Sequence, residues 1–172
     1  MFDRAVVHTA IRYGVTGGIV SFAFVVILAL LGFENPYDTT SEYSSTLVFV
    51  SIFIFLAIKY FKKFHDAELG FGKAFKVGLL TVFFLAFTFA LLMCIYSLFA
   101  GEGMIKEYII LSQKRMELTK QELTQVMGEV NYTNAYQNLN QLNAYTLAQI
   151  SFVNRMVTGF FVSIVLGVFF RK

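Results

Sequence analysis

Few side chains in this sequence could do chemistry, and they fall into small groups. His65, Asp66 and Glu68 offer three possible metal ligands within one short stretch. Nothing completes a coordination sphere around them, because His8 is the only other histidine and Cys94 the only cysteine. Three ligands on one turn make at most a weak, open site, so a solvated turn is expected and no metal. Glu34, Asp38 and Glu42 could share a cation across another loop, and the same expectation holds there. A lone cysteine excludes an internal disulfide. No nucleophile–base pair, phosphate-binding loop or dinucleotide glycine motif is present, so neither an enzyme nor a cofactor is expected.

Arg155 is the one charge in an awkward place, near the start of a long apolar run. An ionisable group at membrane depth marks a functional site by default. Arg155 could contact an anion or a lipid headgroup, or pair with a carboxylate such as Glu102. The blander reading is an interfacial arginine that lays its stem along apolar surface and lifts its charge to the headgroups.

Small residues supply the clearest side-chain pattern. Gly14 and Gly18 are four apart, as are Gly17 and Ser21, and Gly159, Ser163 and Gly167 repeat every four residues. That spacing lines one face of a helix and lets two backbones approach closely where lipid supplies no hydrophobic drive for association. Gly14, Gly18, Gly159, Ser163 and Gly167 are therefore read as helix-packing positions, with the partner helix in this chain or in another copy.

The elements that must carry these residues are membrane helices. Of the 172 residues 57% are hydrophobic and only 15% charged, with 21 Phe. Soluble domains average about 45–50% apolar and roughly 25% charged, and a chain this small has too much surface to hide the excess. A span needs about 20 mostly apolar residues to cross roughly 30 Å of hydrocarbon. Four runs qualify, at about residues 14–33, 45–61, 74–100 and 152–170. They are continuous rather than alternating, which favours helices over barrel strands. The first is longer than a signal-peptide core and lacks a small-x-small cleavage pattern, so it is expected to stay as an anchor. The expected fold is all-α, one integral membrane domain over residues 1–172.

Basic residues set the orientation. Residues 34–44 carry none, whereas Lys59, Lys62, Lys63, Lys73 and Lys76 surround the second loop. Arg4, Arg12, Arg171 and Lys172 fall on that same side if the chain crosses four times. Both termini are thus expected in the cytoplasm of a bacterium, with the protein in its inner membrane. The net charge of +3 is read as a topology signal and not as a nucleic-acid surface.

Residues 101–148 form the one sizeable polar region, expected outside the cytoplasm as a helical hairpin over about 104–148. Ile105, Ile109, Met116, Leu123 and Met127 recur at spacings of four and seven, an amphipathic helix over 104–127. Gly128 and the run Asn131–Asn134 predict a stop and a turn. Tyr136, Leu139, Leu142 and Tyr145 mark a second, shorter face leading into the last span. The hairpin either projects from the bilayer, which is favoured, or folds at Gly101-Glu102-Gly103 to lie on its surface. The longer stripe has more apolar surface than its mate can cover, so Met116, Leu123 and Met127 are expected to meet a partner.

The entry to the third span reads Phe71, Ala74, Phe75, Gly78 after a basic loop. This Phe-x-x-Ala-Phe-x-x-Gly pattern resembles a bacterial family of four-span inner-membrane proteins, the domain of unknown function numbered 4199. The resemblance extends to the Gly-rich first span, the charged helical outer loop and the Gly-containing last span. It implies a topology and no established activity. The function expected is a structural or accessory subunit, held in the lipid bilayer and touching a membrane-protein partner or a second copy. The alternatives are a small oligomeric transporter or channel, or a lipid-handling protein. Midplane polar groups are scarce, with Ser51, Thr81 and Thr88 the main ones, and the only proline, Pro36, lies outside the spans.

Overall fold

The computed structural model describes residues 3–33, 35–100 and 102–171, and all of its regular elements are helices. They are α1 (Arg4–Leu30), α2 (Thr39–Phe64), α3 (Phe71–Ala100), α4 (Glu102–Leu118), α5 (Lys120–Met127), α6 (Glu129–Leu139) and α7 (Ala144–Phe170). Four of them, α1, α2, α3 and α7, are long and apolar enough to cross a membrane. Glu34, Gly101 and Lys172, which figure in the readings above, lie outside the described residues.

The helices outrun the apolar stretches that announce them. α1 begins at Arg4, where the Asp3 side chain accepts a hydrogen bond from the Ala5 amide. α7 begins at Ala144, where the Asn143 side chain accepts from the Tyr145 and Thr146 amides. Both are side-chain caps for amides that have no partner within the helix. Their first turns are too polar to register as hydrocarbon-spanning, so hydropathy places these starts about ten and eight residues late.

α3 is the central element and packs on α1, α2 and α7. Two apolar clusters fill the interior. One is built around Val50, Ile54, Ile58, Phe61, Val77 and Leu85. The other, toward the end that carries α4–α6, joins Val25, Phe89 and Met93 to Ile105 of α4 and Leu147 of α7. The outward faces are equally apolar, with Val165 66% and Phe169 74% exposed on α7. Such surfaces are tolerable where the surrounding solvent is itself apolar, and the protein is a multi-pass membrane protein.

The polar region between α3 and α7 departs from the expected hairpin in three ways. The first helix is interrupted at Thr119, although the Thr119 and Leu123 amides still donate to carbonyls four residues back and Met116 and Leu123 keep one half-buried face. The second begins at Glu129, directly after Gly128, whose φ of +82° suits glycine. Residues 131–134 are therefore helical rather than a turn. Asn131 and Thr133 donate side-chain hydrogen bonds back to the Met127 and Glu129 carbonyls, which lets these turn-forming residues sit inside a helix. α6 does not run into the last span either, because residues 140–143 separate it from α7.

Candidate functional site

Every fourth residue of α7 from Ser151 is buried: Ser151, Arg155, Gly159, Ser163 and Gly167. The small-residue stripe is thus a seam, and its partner is α3 of the same chain. A methyl group on Gly159 would lie 2.1 Å from a Val82 methyl, and one on Gly78 would lie 2.7 Å from the Ser163 oxygen. At Gly167 the nearest atoms are 3.2 Å away, on the Phe71 ring. The two helices run antiparallel, so Phe71, Gly78 and Val82 meet Gly167, Ser163 and Gly159 in turn. The Phe71, Ala74, Phe75, Gly78 pattern thereby acquires a physical meaning: it contributes the α3 side of this contact, with Ala74 fully buried.

The glycines of α1 serve the other side of α3. Added methyls on Gly14 and Gly18 would lie 2.6 Å and 2.7 Å from Phe84 and Thr88. Backbone carbonyls of Thr81 and Leu85 are almost as near, at 2.7 Å and 2.8 Å. Gly17 faces both Phe53 of α2 and Leu85 of α3.

Arg155 continues the α7 stripe toward the α4–α6 end, and it is 0% exposed. Helical side chains lean toward the N-terminus, so its stem carries the guanidinium toward the start of α2. There one terminal nitrogen lies 3.4 Å from the Glu42 carboxylate and from the Ser151 carbonyl oxygen. The other donates to the Ser45 hydroxyl at 3.4 Å. The guanidinium carbon sits 3.3 Å from the centre of the Phe89 ring, a cation–π contact made strong by desolvation. Nε has no hydrogen-bond partner. The carboxylate opposite Arg155 is therefore Glu42, 15% exposed at its side chain, while Glu102 stays exposed on α4. The burial of Arg155 also removes it from reach of a lipid headgroup or free anion. Three helices converge on this cation, which makes it a clasp between α2, α3 and α7.

The remaining acidic groups are dispersed. Asp38 holds Arg115 of α4 through two hydrogen bonds of 2.9 Å and 2.7 Å. Asn35 donates to the Met104 carbonyl, so the loop before α2 is tied to α4 at two places. The Tyr37 hydroxyl meets that of Ser97, which itself donates to the Met93 carbonyl; burial pushes the phenol up from its ordinary range. Asp66 pairs with Lys73 at 2.7 Å, a contact that holds its carboxyl below the usual range. His65 rests on the rings of Tyr60 and Phe61. Among the described residues no three His, Cys, Asp or Glu side chains converge.

On α4 and α5, Met116 and Leu123 are half-buried; α6 packs along these helices, the Tyr132 hydroxyl donating to the Met116 carbonyl. Met127, 36% exposed, lies at the margin of that face. The residues turned fully outward are Leu118, Val126 (87% exposed) and Val130 (74%). Single-helix periodicity over 104–127 could not have singled them out, although Val126 and Val130 flank the one glycine of the hairpin.

Residues 12–172 match the family model described as Protein of unknown function (DUF4199). No curated protein and no solved structure matches the chain.

Proposed function

The chain belongs to the DUF4199 family, and on that premise we propose that it serves as a structural or accessory subunit of a membrane assembly and catalyses no reaction. Its place is the inner membrane of a bacterium, with both termini and the α2–α3 turn in the cytoplasm. Nine basic residues around those segments support this orientation. The observation that carries the reading is the apolar tip of the α5–α6 hairpin. Val126, Met127 and Val130 flank Gly128, beyond the apolar clusters of the bundle. Exposed apolar groups gathered at one point mark contacts, and the partner proposed is a different membrane protein.

A transporter or channel would draw on Arg155 as its ion-binding group. The closure of Glu42, Ser45 and Phe89 around that side chain supports the structural reading instead.

Cysteines at Val126 and Val130, in a Cys94→Ala background, test the proposal by crosslinking in intact membranes. One defined protein should be captured from both positions and lost when Met127→Lys is added. A homodimeric adduct would assign the tip to a second copy and overturn the partner. Full labelling by a water-soluble maleimide without any adduct would leave the tip free in water, and the reading fails.

A further inference from the structure

On the surface between α3 and α7, toward the α4–α6 end, lies an open groove of about 500 Å³. Phe87, Leu91, Tyr145 and Phe152 wall it, and Ala90 and Ala148 leave the depression between these larger side chains. Beyond it is a cleft of about 410 Å³, which shares Tyr145 with the groove. This second space sets polar groups among apolar ones: Glu102 and Lys106 come from α4, and Asn140 and Asn143 from the turn before α7, beside Ile105 and Leu142.

The two spaces differ in depth as well as chemistry. Leu98 lines the cleft and Phe87 the far end of the groove. Eleven helical residues separate them, roughly 16 Å at 1.5 Å per residue. That is about half of the ~30 Å hydrocarbon layer, the length of one leaflet. Groove and cleft together thus span about one leaflet's depth, with the groove lying deeper and the charged groups of the cleft standing where headgroups begin.

We propose that groove and cleft together bind one phospholipid with an ethanolamine headgroup, from the leaflet on the α4–α6 side. An acyl chain lies between α3 and α7, the phosphate meets Lys106 and the ammonium meets Glu102. Burying the acyl chain adds little discrimination, because bilayer lipid is as apolar as the groove. Selectivity therefore rests on the headgroup. Glu102 and Lys106, one turn apart on the same helix, present one charge of each sign. An anionic glycerol lipid would set its phosphate against Lys106 but bring nothing to Glu102. A choline headgroup carries positive charge but has no N–H to donate to the carboxylate, and charge-assisted hydrogen bonds are the stronger kind.

The test is native mass spectrometry of the full chain in a non-ionic detergent, titrated with phosphatidylethanolamine, phosphatidylglycerol or phosphatidylcholine. One phosphatidylethanolamine adduct should appear at about ten-fold lower lipid concentration than either rival. Glu102→Gln, at an exposed position, should cut the preference over phosphatidylcholine to within about two-fold while leaving the melting temperature unchanged. Ala148→Phe, which fills the groove, should remove the adduct. Equal binding of the three lipids, or an unaltered preference in Glu102→Gln, overturns the site whether or not Ala148→Phe folds. So does tighter binding of phosphatidylglycerol.

Discussion

Glu42→Leu is expected to lower stability by about 3–5 kcal/mol, the cost of leaving one partner of a buried ion pair without its counter-charge. The magnitude follows from what remains around Arg155. With the carboxylate gone, a cation that is 0% exposed keeps only the Ser45 hydroxyl, the Ser151 carbonyl and the Phe89 ring. Arg155→Met should cost less, about 1–3 kcal/mol, because Glu42 is 15% exposed and can reach polar surroundings or take up a proton. The double variant Glu42→Leu/Arg155→Met replaces both charges by apolar groups and should return to within about 1 kcal/mol of the parent. For a chain of this size Glu42→Leu corresponds to a drop in Tm of roughly 10 °C. Thermal unfolding of the four proteins in one detergent closes the cycle. Additive losses, with the double variant worse than either single one, would show that the pair does not hold the helices together.

The seam between α3 and α7 carries the second large effect. Gly159→Ala would place a methyl 2.1 Å from Val82, which is 0% exposed and has nowhere to retreat. Overpacking of this kind costs about 1–3 kcal/mol. Adding Val82→Ala removes the two methyls but leaves the residue-82 Cβ 2.6 Å from the new methyl, so it should recover only part of the loss. Gly167→Ala is the control within the same stripe. Its nearest neighbours are ring atoms of Phe71 at 3.2 Å, and Phe71 is exposed enough to swing aside. Ala also favours a helix over Gly by roughly 0.5–1 kcal/mol, so Gly167→Ala should be neutral or slightly stabilising. Unfolding midpoints for the three variants decide the matter. Equal losses at Gly159 and Gly167 would mean that general helix distortion, and not local contact with Val82, sets the cost.

The parts of this structure that sequence reveals are those encoded by local periodicity. Four apolar runs announce α1, α2, α3 and α7, and the four-residue spacing of Gly159, Ser163 and Gly167 announces a packed face. The identity of the facing helix depends on how α7 is registered against α3, which no single segment encodes. The same is true of the Arg155 clasp. Glu42 lies 113 positions away, and the choice between it and Glu102 is made by the height at which α2 begins beside α7. Helices α4–α6 misled for a different reason. Asn131 and Thr133 are turn formers whose side chains here bond back to the Met127 carbonyl at the end of α5 and the Glu129 carbonyl of α6, while Gly128 alone makes the turn.

The arrangement rests on four crossings that set α4–α6 and the basic α2–α3 turn on opposite sides of one membrane. Single cysteines at Gln125 and Glu68, both exposed, measure this directly in a Cys94→Ala background. A membrane-impermeant maleimide applied to intact cells should label Gln125→Cys and should reach Glu68→Cys only after the membrane is permeabilised. Equal labelling of both in intact cells, or labelling of Glu68→Cys alone, would contradict the account.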